Sequence, residues 1–508
     1  MAAFPRLDVG ACGGGAVCYR EGVPVTTMAL KLLRVPANNE PVVGWHVSPL
    51  VDVAAYHFSW LLILVPLAIA GDAHPGDYLG LWAFGITISF LHRHVTMPYV
   101  YLDGAVFRSF KTRFTLVPAV LLCGFVASVM LQRTSLPAHF FTALDIGVFG
   151  AGVGVVVALW WRDRQQKTIA DRVLVTAALP FVLATVGGGF GLFRSHHVAA
   201  VLAVAATVIA AAVVVGGARI VGVVITLVFA GILLHAQLGG LNEAKLKGGV
   251  VVGAAAMLAA LWNIWHTAAQ KVGILRVYNA KSVAPVPLKV PLWVDRLLVL
   301  GWFPLLGPLL VTRERETILT QGKVVRLWLE PVVDGITWAA PALIPIGVVV
   351  VVGSLGVFLR YEHRATGLRS APRLSMALGM TLLSASFLFF NPLKCYVAYG
   401  FSHAIEYVVF VWAFQRRRYA VPHDPPPLLQ RILRYGWAFY GCFVLLIAGS
   451  YFYVEFGATF GLYDAKLTLL GFKASTWLYA WAIWHSLAHF YFDGFLWKMR
   501  APALRASL

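Results

Sequence analysis

The chain has 508 residues, of which 59% are hydrophobic and 12% charged. Soluble domains carry about 25% charged and about 45–50% apolar residues, so a soluble globular domain, a disordered chain and a disulfide scaffold are excluded. The formal charge is +19, from 41 Lys and Arg against 22 Asp and Glu. In a chain this apolar, the excess reads as basic cytoplasmic loops, with no nucleic-acid partner.

Residues 1–51 read as a cytoplasmic tail, with a Gly-rich piece at Gly13 to Gly15 and none of the compact apolar core of a cleavable signal peptide. A bilayer crossing takes about 20 mostly apolar residues. Runs of that kind fall at 52–71, 78–97, 114–131, 140–161, 173–187, 197–216 and 220–238. They continue at 249–270, 293–312, 333–358, 374–391, 395–414, 433–453 and 474–493. Those at 173–187 and 293–312 are short or broken by Pro and Gly. The expected fold is all-α, a polytopic integral-membrane helical bundle of about 13–14 transmembrane helices. It occupies 52–497 as one domain, with a short cytoplasmic tail over 498–508. The five cysteines are scattered and form no CxxC, which leaves no thiolate metal site to propose.

Loop charge sets the expected orientation. With a cytoplasmic N-terminus, the inner loops carry Arg108, Lys111 and Arg113, then Arg162 to Arg172, then Lys271, Arg276, Lys281 and Lys289. Further along come Arg360, Arg364, Arg369 and Arg373, then Arg416 to Arg418 and Arg431. The outer loops are nearly bare. Both termini are then cytoplasmic, in a bacterial-type inner membrane or its equivalent.

Ionisable groups inside apolar spans are costly and mark function by default. Four motifs carry them. The first is His92 with His94, followed by Pro98 and Asp103. Residues at i and i+2 point about 200° apart on a helix, so one of the two histidines faces any given site unless the helix ends between them. The second is Trp262-Asn263-Ile264-Trp265-His266, with Gln270 one turn on. The third is His403 with Glu406, which share a face at i, i+3. The fourth is His485, His489 and Asp493, at i, i+4 and i+8 on one face of a helix. Imidazoles at i, i+4 can hold one metal ion, and a following carboxylate can bind the ion or orient a histidine. Under the charge topology all four motifs, and His57 in the first span, lie in the cytoplasmic leaflet. His235 is the counterexample, at the outer end of its span.

The expected metal ligands are therefore His92, His94, His266, His403, Glu406, His485, His489 and Asp493, with Glu406 and Asp493 also assigned to proton or carboxylate chemistry. An all-imidazole and carboxylate set suits non-haem iron, as one or two ions, with zinc or manganese next. A metal just under the cytoplasmic headgroups fits an oxidoreductase acting on a lipid or other hydrophobic substrate, with an electron donor as partner. In chemistry this set is similar to the histidine-rich integral-membrane di-iron desaturases and hydroxylases, which also gather histidines on the cytoplasmic side. Those enzymes use several HxxxH and HxxHH boxes on few spans. Here only His485 and His489 have that spacing, so no residue is carried over.

Two other readings compete. Intramembrane His, Glu and Asp can form an ion or small-molecule transport path. A membrane-bound acyltransferase would use one His as general base, with Asn263 and His266 resembling its motif.

Overall fold

The computed structural model describes residues 44–70, 79–131, 249–281, 290–321, 326–420, 426–433, 437–457, 459–462 and 468–496. These residues are mostly helical. The expected spans at 140–161, 173–187, 197–216 and 220–238 lie outside them, as do most of the expected tails.

In chain order the described helices are α1 (Pro49–His57), α2 (Leu61–Ile69), α3 (Leu79–His92), α4 (Thr96–Leu102), α5 (Gly104–Ser109) and α6 (Lys111–Leu131). Then come α7 (Gly249–Ala280), α8 (Leu292–Leu300), α9 (Phe303–Arg313), α10 (Arg315–Gln321) and α11 (Arg326–Thr366). The chain continues with α12 (Ala371–Phe389), α13 (Pro392–Arg418), α14 (Leu428–Leu433), α15 (Trp437–Phe456) and α16 (Ala474–Leu496). Four helical segments among the described residues are long and apolar enough to cross a membrane: Leu292–Arg313, Val333–Thr366, Ala371–Phe389 and Pro392–Arg418. A fifth crossing arises if α1 and α2, bent by 53°, form one broken span.

Several elements differ from the sequence reading. The expected span 52–71 is broken. Residues Asp52–His57 wind as a π-helix, and the Phe58 N–H donates to the Val53 carbonyl before α2 begins. The expected tail 1–51 ends early, because the N–H groups of His46 and Val47 donate to the Asp52 carboxylate at 2.5 and 2.9 Å. The expected span 78–97 stops at His92. There the N–H groups of Arg93, His94 and Val95 tighten to carbonyls three residues back, and Pro98 sits in the first turn of α4, where a proline costs no helical hydrogen bond. A small hairpin, Thr468–Leu469 with Phe472–Lys473, was not expected. Its turn takes positive φ at Leu470 (51°) and Gly471 (78°), the left-handed pair that suits a two-residue hairpin.

The charge census also changes. Lys271 and Arg276, read as loop residues, lie in α7, and Arg373 lies in α12. Arg373 is fully buried. It donates to Glu362 at 2.5 Å, to Asp295 at 2.7 Å and to the Leu275 carbonyl at 2.8 Å. Arg276 also reaches Asp295, at 3.2 Å. This network ties α7, α8, α11 and α12 together around the core of Tyr56, Leu275, Leu298, Phe358 and Met376.

Helix α12 also passes very close to α1. A Cβ on Gly379 would meet the His57 carbonyl oxygen at 2.2 Å. Gly379→Ala must push the π-turn away, and we expect a loss of about 1–3 kcal/mol, the usual scale of overpacking. A thermal midpoint in detergent unchanged from wild type would refute this.

Candidate metal centre

Local signals place two of the elements that carry histidine motifs. Helix α13 starts where the Asn391 side chain accepts from the Leu393 N–H, with Pro392 at the first position. It ends on Arg416, Arg417 and Arg418, which suit the negative end of the helix dipole. The segment after α3 is anchored to that C-terminus by Asp103. Its carboxylate caps α5 through the N–H groups of Ala105 and Val106. It also accepts from Tyr419 at 2.6 Å and pairs with Arg418 at 3.1 Å.

Burial alone would raise the Asp103 carboxyl. The bonds from Tyr419, Val106 and Arg418 outweigh burial and hold it below the usual carboxylate range. A carboxyl depressed in the folded state stabilises fully above its unfolded value of about 3.9, and the contribution disappears as pH falls through the lower folded value. Asp103→Asn keeps the cap and loses the charge. We expect it to cost about 1–2 kcal/mol at neutral pH, the difference from wild type closing as pH falls through the lowered folded value, as read from pH-resolved unfolding. A pH-independent difference would contradict the assignment.

Four of the expected ligands converge. His92 at the end of α3, His266 of α7, His403 of α13 and His489 of α16 form a closed ring. Neighbouring ring centroids are 4.6 Å apart for His92–His403, 5.0 Å for His403–His266, 4.9 Å for His266–His489 and 5.1 Å for His489–His92. Each contact is edge-on, with interplanar angles between 75° and 86°. All four side chains are buried. His92, His403 and His489 leave both ring nitrogens without a hydrogen-bond partner, and His266 leaves its Nε2 so.

An imidazole always carries at least one donor, and burying a polar group unpaired costs about 1–3 kcal/mol. Several such groups facing one point need an explanation. A metal ion supplies one, because it takes a lone pair from each ring. Nitrogens of His92, His403 and His489 lie within 4.8 Å of one another, as do ligand atoms of His266, His489 and Asp493.

Asp493 adds the carboxylate. Its Oδ2 lies 3.5 Å from His266 Nε2 and 3.6 Å from His489 Nε2, while its Oδ1 accepts from the Tyr407 hydroxyl at 2.5 Å. Thr96 is bonded in turn to the Tyr407 oxygen. Tyr407 stands one turn beyond His403, its ring 4.9 Å from His489. The sequence reading missed it, although the His403-x-x-x-Tyr407 spacing carried the signal.

The other expected ligands sit elsewhere. His94 and His485 stack on each other at 3.8 Å with an interplanar angle of 8°, and neither joins the two ligand groups. Glu406, also among the expected ligands, lies in an ion pair with Lys271. It accepts from Lys271 at 2.6 Å and from Ser402 at 2.7 Å, with Gln270 at 3.4 Å. Gln270 also donates to the His403 carbonyl at 3.1 Å, so this pair buttresses the ring from behind. His57 is bonded at both nitrogens, to Tyr278 and Ser375, each at 2.9 Å.

These features define the class: a helical protein with several membrane-length apolar helices and a buried ring of four histidines beside an aspartate. Comparison with protein-family models, with curated proteins and with solved structures finds no match to this chain.

Proposed function

We propose that the protein is a membrane-embedded, metal-dependent oxidoreductase, with non-haem iron held by the His92, His266, His403, His489 and Asp493 cluster. The carrying observation is the set of buried, unpartnered ring nitrogens converging from four helices. Imidazole with one carboxylate and no thiolate is a ligand set suited to iron, and less distinctly to zinc or manganese. One or two ions fit the reading, since the two ligand groups share His489.

In this reading the bundle has about 13–14 spans, its termini are cytoplasmic, and the substrate is a lipid or other hydrophobic molecule. The bound metal supplies the oxidising chemistry, with dioxygen as oxidant and a separate donor as the electron source. The chain's own part is to exclude water, to hold each imidazole at fixed orientation, and to keep Asp493 aimed through Tyr407. Asp493 is also the carboxylate placed to hold a proton at the centre.

Metal analysis of protein purified in detergent tests the proposal. We expect near-stoichiometric iron, together with dioxygen consumption that requires a reductant. Protein that binds no transition metal when offered Fe(II), Zn(II) or Mn(II) would overturn it.

A further inference from the structure

Arg93 is the one charged residue next to the histidine ring whose role is unexplained by the reading above. It follows His92 directly, in the turn between α3 and α4. It is close enough to act electrostatically on His92, His266, His403 and His485. Yet no acidic residue pairs with it among the described residues. It donates to the Ala482 carbonyl at 3.3 Å and lies over the face of Phe90 at 5.9 Å. Its Nε is buried with no partner. Two fully buried cations nearby have acids: Lys271 has Glu406, and Arg373 has Asp295 and Glu362.

Arg93 lines a cavity of about 290 Å³ between α7, α15 and α16, with Asn263, Tyr451, Tyr479, Ser486 and Phe490 among its walls. The cavity adjoins the histidine ring. Asn263 is one turn before His266, and Ser486 is one turn before His489. Phe490 forms the partition, with its ring 4.8 Å from His266 and 5.6 Å from His489. Its walls are mixed, with Leu478, Ile483 and Phe490 on the apolar side and Arg93, Asn263, Tyr396 and Ser486 on the polar side, so it can take a small ligand with one polar end.

A half-buried guanidinium without a counter-charge, its Nε shut off from water and unpaired, is unfavourable by itself. A ligand carboxylate or phosphate relieves that, because it accepts two parallel N–H bonds from the fork. The Asn263 amide N–H groups can complete its hydrogen bonds. We propose that this cavity binds the anionic group of the substrate through Arg93, so that the substrate is an anionic amphiphile held with its chain beside Phe490. The substrate assignment rests on the metal-centre reading; the anion site itself does not.

The test is equilibrium dialysis of radiolabelled dodecanoate against the full chain in a fixed concentration of non-ionic detergent, with dodecanol and inorganic phosphate as comparison probes. We expect dodecanoate to bind wild type at least tenfold more tightly than Arg93→Gln, and dodecanol to bind both equally. Arg93→Lys, which keeps the charge and loses the fork, should fall between them. If phosphate displaces dodecanoate at equal concentration, the anion site stands and its occupant is a soluble anion. Equal dodecanoate affinity in wild type and Arg93→Gln, both retaining wild-type elution from size exclusion, overturns the proposal. Metal content separates the two readings. Arg93-dependent dodecanoate binding in a protein that takes up no metal would leave the anion site standing and remove the oxidoreductase. Metal uptake without such binding would do the reverse.

Discussion

Replacing His403 or His489 by alanine is expected to lower metal affinity by more than about 100-fold, beyond the 10–100-fold typical of outer-shell changes. Both residues stand in the ring with both nitrogens buried and unpartnered, and His489 belongs to both ligand groups. Asp493→Asn keeps the Tyr407 contact and weakens the charge beside His266 and His489, so a loss of about 10–100-fold is expected. His94→Ala should change affinity little, because that ring packs on His485. Titration with Fe(II) or Zn(II) reads all four variants. A second readout guards against misfolding. A ligand at 100 times its dissociation constant stabilises the fold by about 2.7 kcal/mol, and this increment should vanish in His403→Ala. Should the unloaded variant be as stable as unloaded wild type, the loss is specific to metal. A metal increment equal in wild type and in both His403→Ala and His489→Ala would refute the cluster as the binding site.

Arg373→Met is expected to be the most destabilising single substitution among the described residues, at about 3–5 kcal/mol. It leaves Asp295 and Glu362 as two buried carboxylates without their shared cation. Removing one member of a buried ionic set costs far more than replacing the whole set with neutral groups of similar volume. Arg373→Met combined with Asp295→Asn and Glu362→Gln should therefore recover most of the loss. Thermal unfolding in detergent gives the comparison. A combined variant as unstable as the single one would show that the cost lies in packing of the arginine stem. The same logic applies to Glu406→Gln, which leaves Lys271 buried and uncompensated. That substitution should lower stability and reach the metal only indirectly, through the Gln270 bond to the His403 carbonyl.

Helical class, apolar character and the four histidine motifs were legible in the chain alone. Apolar runs of bilayer length need no tertiary information, and ionisable residues within them stand out because burying charge among apolar groups is costly. Face geometry was legible only approximately. A four-residue step turns a helix by about 400°, so each step drifts about 40° from the starting face. Over His485, His489 and Asp493 that drift is enough to leave His485 against His94 while the other two reach the ring. Glu406, three residues from His403, is offset by about 60° the other way, toward Lys271 on α7.

The sequence by itself thus determined that the protein is helical, apolar and carries ionisable groups within its apolar runs. Only the tertiary structure decided which of these groups meet, because partners such as Lys271 and Glu406 are 135 residues apart in the chain. It also decided where charge belongs. Lys271 and Arg373 look like loop cations when hydropathy is read along one dimension, and the packed helices turn them inward onto acids. Arg93 is turned toward the histidine ring with no acid beside it among the described residues, which is why it points to a ligand.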